Sequence, residues 1–184
     1  MIHLYFSLSS PFLFLALWKD SECLIKVQKR NFRQHSENFL TNLQQSLNQI
    51  NHNLKDISEI YFTSQPSGQT GIRVALSFLA TLQVVNPWIK IYHIDTLLLQ
   101  SGTENCISLL TIDSQGNKFH LAVYQNKKCL LKNKIINKKE LSEVEEKFSD
   151  FVILKDCSEI DFFTNFQKLQ NYFIPLKKIE TINC

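Results

Sequence analysis

The order in which its elements follow one another constrains this chain more than any single motif does. Apolar and β-branched runs at residues 2–8, 12–18 and 22–30, parted by Ser9 to Pro11 and by Lys19 to Ser21, predict three strands in a meander. From His35 to His52 the apolar side chains recur at Phe39, Leu40, Leu43, Leu47 and Ile50. That stripe has a period near 3.6, so a helix follows, and Asn53 to Asp56 end it. Residues 59–64 then read as a strand, 65–69 as a tight loop and 70–85 as a second helix, which Asn86 and Pro87 stop. A strand at 89–94 and a short helix capped by Asp95 and running through Gln100 complete the first half. After Gly102 the pattern begins again, with strands at 106–112, 118–125 and 129–136, a helix at 138–148, a short strand at 151–154 and an aromatic-rich helix at 160–173. The order βββαβα thus occurs twice, and it divides the chain into a lobe at 1–102 and a shortened second lobe at 103–184.

An α/β chain with that duplicated order has the architecture of the two-lobe actin-like ATPase class (ASKHA, RNase H-like), an analogy of element order alone. Composition is compatible with it. With 184 residues, 44% hydrophobic and 20% charged, disordered and collagen-like classes are excluded. Four glycines argue against a function built on several glycine-rich phosphate loops. The net charge of +3 says little about nucleic acid, because lysine outnumbers arginine 17 to 3 and asparagine reaches 15, a skew typical of coding bias.

Cys23, Cys106, Cys129, Cys157 and Cys184 form no closely spaced pair, so each reads as a small core hydrophobe in a reducing cytoplasm. His3, His35, His52, His93 and His120 offer no pair four apart on one helix, and no metal site is expected. The apolar stretch from Tyr5 to Trp18 has no preceding lysine or arginine and no small-residue cleavage site after it. Ser7, Ser9, Ser10 and Pro11 interrupt it, which favours two strands over a signal peptide or membrane helix.

The most informative segment is residues 63–73 (TSQPSGQTGIR), which runs from a strand end through a loop into a helix start. Unpaired N–H groups at a helix N-terminus attract anions, so a loop carrying Gly68 and Gly71 there is a candidate phosphate cradle. The plainer reading is an ordinary strand-to-helix turn with Thr70 as N-cap. This stretch resembles the GRGPGSFTGLR segment of the TsaB (YeaZ) family, relatives of the bacterial glycoprotease-like proteins. Pro66, Thr70, Gly71 and Arg73 match it. His35, Ser36 and Glu37 sit at the family's HSE helix opening, and residues 54–60 (LKDISEI) are similar to its helix-to-strand link. Ala16, Leu17 and Trp18 resemble its second strand, and Asp113 with Ala122, Val123 and Tyr124 its strand-turn-strand in the other lobe. The resemblance covers about residues 1–125.

What the resemblance implies is a cytoplasmic, noncatalytic accessory subunit that pairs with the catalytic TsaD-type protein. That pair, with the TsaE-type ATPase, places a threonylcarbamoyl group on the adenosine beside the tRNA anticodon. ATP and magnesium are then expected only on the partners. The chain also departs from the family pattern: Ser7, Leu8 and Ser9 replace an Asp-Thr-Ser loop, and Gln65 and Ser67 replace two glycines. A magnesium-nucleotide site in this class needs a carboxylate in the first hairpin and glycines for close backbone approach. Ser7, Ser9, Gly68, Thr70, Gly71 and Arg73 therefore read as a degenerate phosphate loop, with no catalytic residue nominated. The rival expectation is a nucleotide-dependent kinase or hydrolase of the same class.

Two helices point to a partner. The first has no charged residue from Asn38 to Leu54, and its polar side is nearly all Asn, Gln and Ser, which cost less to desolvate than charges. Asparagine-rich coding bias produces the same face. The second is apolar nearly all round, with Arg73 its one charge, and must be covered on more than one side. In the family these two helices help form the TsaD contact, which makes Phe39, Leu40, Leu43, Leu47, Phe78 and Leu82 the expected partner-binding residues. A homodimer through the same helices is the alternative. Finally, Lys118, Lys127, Lys128, Lys132, Lys134, Lys138 and Lys139 fall together with no acid among them. Either they neutralise tRNA phosphates within a complex or they blunt an exposed edge strand.

Overall fold

Leu4, Leu17 and Ile60 stand side by side across three strands, and Phe6, Leu15 and Phe62 repeat the row two residues on. Because alternate residues of a strand share a face, these rows give the first sheet one continuous apolar side. The strands are β1 (Ile2–Ser7), β2 (Phe12–Lys19), β3 (Glu22–Arg30), β4 (Ile57–Thr63) and β5 (Lys90–Ile94). In this computed structural model, which describes residues 1–8, 12–30, 35–66, 68–158 and 160–177, they lie in the order β3-β2-β1-β4-β5. The meander β1-β2-β3 is antiparallel and the β1-β4-β5 ladder parallel. Two crossover helices, α1 (His35–Gln49) and α2 (Gln69–Val85), lie on the apolar side. Phe39, Leu43 and Leu47 of α1 and Ile72, Ala75, Leu79 and Leu82 of α2 join Leu4, Phe6, Leu15, Ile60 and Phe62 in one core.

The other side of this sheet carries a ladder of aromatic rings. Tyr5 stacks on Tyr61 at 4.6 Å and Tyr61 on Tyr92 at 4.9 Å, while Phe173 meets Tyr61 edge-on at 5.3 Å. The Tyr61 hydroxyl donates to Glu59 at 2.8 Å. Burial, helped by the Glu59 charge, pushes the Tyr5 phenol up to about 12.

The second sheet repeats the plan with β6 (Cys106–Thr111), β7 (Lys118–Gln125), β8 (Lys128–Asn137) and β9 (Val152–Lys155) in the order β8-β7-β6-β9. Again the meander is antiparallel and the β6–β9 pair parallel. α4 (Lys138–Lys147) packs Val144 and Leu141 against Ile107, Leu109, Phe119, Leu121 and Val123. α3 (Thr96–Ser101) and α5 (Phe162–Lys168) pack together, and α3 also lies on β6. The buried Gln100 amide ties this region together: Nε2 donates to Ser108 Oγ at 2.7 Å, to the Leu154 carbonyl at 2.9 Å and to the Leu109 carbonyl at 3.1 Å. Gly102 ends α3 at a positive φ of 55°, and an added Cβ would meet the Asn165 side-chain oxygen at 2.6 Å, so both conformation and space call for glycine there.

Two compact units result: Met1–Ile94 together with the chain from Asn171 onward, and Asp95–Gln170. The expected boundary at 102/103 falls inside the second unit, because α3 packs on β6 and α5. The terminal helix is also shorter than the expected 160–173. It ends at Lys168, a 3-10 turn follows at Gln170–Tyr172, and Ile174–Pro175 form β10, antiparallel to β5 at the edge of the first sheet. The second sheet therefore has no counterpart of β5 among the described residues, and that missing strand is the shortening of the second lobe. No helix among the described residues is long and apolar enough to cross a membrane.

Candidate functional site

The end of β1 and the start of α2 form the corner where the degenerate phosphate loop was expected. Ser7 closes β1 fully buried, and its hydroxyl accepts from Thr63 Oγ1 at 2.8 Å, which joins the ends of β1 and β4. A hydroxyl already shared in this way carries no charge for a hydrated cation. The N-cap of α2 is Gly68, which is extended at φ −61° and ψ 136° and supplies no side-chain cap. Thr70 is thus not the N-cap but a residue of the exposed first helical turn. Gly71 is buried, and a Cβ added there would run into the carbonyl oxygen of Leu8. The glycine serves a close approach between the first hairpin and α2, and the group that approaches is a carbonyl oxygen, which repels an anion. Arg73 points elsewhere, into a groove between the two helices. Ser9 lies outside the described residues. The described part of this corner does not fit a magnesium-bound nucleotide, since it offers neither a carboxylate nor an open backbone cradle. Nor, among the described residues, do three His, Cys, Asp or Glu side chains gather as a metal site would require.

The outer face of α1 and α2 is different in character. An open groove of about 480 Å³ runs between them, lined by Leu40, Leu54, Val74, Phe78, Leu82 and Val85, with Ser77 and Thr81 beside them and Arg73 as its one charge. Leu40 is 50% exposed and Val85 52%, while Phe78 is half-buried and meets Phe39 edge-on at 5.1 Å. Of the six expected anchors, Phe39, Leu43, Leu47 and Leu82 are buried in the core of their own unit, Leu82 lining the groove floor as well, so in this chain the four serve as packing residues. The reason is steric: α1 turns its stripe to the sheet, and only Leu40 of that stripe rolls outward.

The amide side of α1 also divides. Asn42 is buried, accepting from Lys29 Nζ of β3 at 2.8 Å and donating to the Asn38 carbonyl, and Ser46 is buried beside it. Thr41, Gln44, Gln45 and Asn48 stay exposed, with Gln44 donating to Asn48 at 2.9 Å. Sequence reading missed Val74 and Val85 as groove residues because α2 is apolar on nearly every side, and a helix without a polar stripe does not declare which side is free.

The family model described as TsaD, tRNA N6-adenosine threonylcarbamoyltransferase, matches residues 28–150. No curated protein matches the chain in sequence. Among solved structures, YeaZ from Pseudomonas aeruginosa is similar with a TM-score of 0.67 and 12% identity, covering 97% of both chains. A second, described as similar to peptidase YEAZ from Pseudomonas aeruginosa, has a TM-score of 0.70 and 12% identity over 97% of this chain and 95% of that one. At such identity the structures establish fold, and they agree with the duplicated element order and the two sheets. With its fold that of YeaZ and the family model matching more than half of its length, the chain belongs to the TsaD family of tRNA N6-adenosine threonylcarbamoyltransferase.

Proposed function

We propose that this chain is the noncatalytic, TsaB-type subunit that binds and stabilises a TsaD-type threonylcarbamoyltransferase during tRNA threonylcarbamoyladenosine modification. The observation that carries this reading is the apolar groove on the outer face of α1 and α2, set beside membership of the family. An open apolar groove with one cation at its edge suits a protein surface. Burying it releases water from Leu40, Phe78 and Val85, and Arg73 orients the partner. The corner at Ser7, Gly68 and Gly71 supports the noncatalytic part, because its groups suit packing better than phosphate binding. On this reading ATP and magnesium act on the TsaD-type and TsaE-type partners, the complex works in the cytoplasm, and tRNA is met within it.

The test uses the exposed groove residues. Leu40→Asp and Val85→Asp each place a charge in a contact that loses water, and each is expected to weaken binding to the TsaD-type protein of the same genome by about tenfold or more. Calorimetry of the purified pair reads it. Undiminished affinity in both folded variants removes this face from the contact.

A further inference from the structure

The lysines of the β7–β8 hairpin remain outside the groove and outside the Ser7 corner. Lys128, Lys132 and Lys134 lie on β8, Lys118 opens β7, and Lys138 and Lys139 open α4, all six exposed. None of the six forms an ion pair among the described residues. β8 is an edge strand, and edge lysines alone would discourage strand-to-strand aggregation. One observation exceeds that role: Lys138 and Lys139 occupy the first turn of α4, where a cation opposes the helix dipole, while Glu145 and Glu146 stand beside Lys147 at its other end. Glu140 completes the capping box with Asn137, so the helix start is built with care, and yet two lysines stand on it.

We infer that the ridge from β8 to the start of α4 is a docking surface for the phosphate backbone of RNA. The strand spans about 33 Å at the usual rise per residue, enough to follow several successive phosphates. The residues between the lysines from Lys128 to Lys138 are Cys129, Leu130, Leu131, Asn133, Ile135, Ile136 and Asn137, with no aromatic ring to stack on a base. Binding is therefore through charge, indifferent to sequence and steeply dependent on salt. The inference rests on the proposed reading, which supplies a tRNA as the RNA at hand.

The experiment measures the isolated chain against an unmodified tRNA transcript by fluorescence anisotropy across a salt series. Replacing Lys128, Lys132 and Lys134 together by Glu is expected to weaken binding by about tenfold and to flatten the salt slope by about two. Replacing Lys19, Lys55 and Lys177 by Glu, an equal charge change on exposed sites in the other unit, is expected to leave most of the affinity in place. Equal loss in both triple variants, or none in either, overturns the inference. So does capture of poly-glutamate or phosphatidylserine vesicles by a chain that does not bind the transcript. Heteromer formation with the TsaD-type protein is measured on the same variants. A heteromer with no effect of the ridge refutes the RNA surface and leaves the proposed function standing, whereas ridge-dependent RNA binding without a heteromer does the reverse.

Discussion

Gly71 shows how one residue type can be legible while its purpose is not. The sequence places a glycine at a helix start, where a phosphate cradle and a tight packing contact look alike. The neighbour decides between them, and here it is the Leu8 carbonyl. Gly71→Ala should therefore destabilise the protein by several kcal/mol, since backbone must move to admit the methyl group. Thermal denaturation checks this, and an unchanged midpoint would contradict the packing role. A second residue-scale expectation concerns His93, whose Nδ1 lies 3.1 Å from Ser64 Oγ and whose burial holds its pKa below the ordinary 6.5. As pH falls through about 6.5 the unfolded chain takes up this proton before the folded one does, so stability is present above that pH and declines below it. Burial shifts His120 in the same direction, against a smaller opposing effect of its Asn133 hydrogen bond. Denaturant midpoints should drop between pH 7.5 and 5.5, and His93→Gln should recover part of the drop. An identical drop in the variant would assign the effect to other groups.

At the scale of elements, strands and helices were legible because their periods differ. β7 falls at residues 118–125 as expected, and α2 begins one residue earlier than its pattern predicts. The misses have physical causes. The terminal helix carries apolar residues past Lys168, but its last turn tightens and the chain is taken up by the β5 edge, a long-range pairing that no local pattern encodes. Gln100 is invisible for a similar reason, since its partners Ser108, Leu109 and Leu154 are brought together only by the second sheet. The partner face suffers most. A stripe at Phe39, Leu43 and Leu47 predicts that α1 is amphipathic without saying whether its own sheet or a partner takes the stripe. The structure gives it to the sheet, and two kinds of variant separate the roles. Leu47→Ala should cost about 2–5 kcal/mol of stability. Leu40→Asp, at an exposed site, should leave stability within about 0.5 kcal/mol while weakening the partner contact. Similar stability losses in the two would contradict the division of α1 into a core side and a groove side.

For the whole molecule, the repeated βββαβα order was enough to foresee two sheets, because each sheet is built mainly from neighbours in sequence. The unit boundary was not, since it depends on α3 packing forward and on the terminal segment returning to the first sheet. The same return leaves the second sheet one strand short of the first. The proposed function and the further inference rest on two surfaces of opposite character, an apolar groove on one unit and a lysine ridge on the other. The central claim is that the groove belongs to a TsaD-type partner, and the most direct measurement is the mass of the species that co-purifies with the TsaD-type protein of the same genome. The account predicts a stable heteromer containing both chains, lost in Leu40→Asp. A native chain that elutes alone, with and without tRNA and the TsaE-type ATPase, would contradict it.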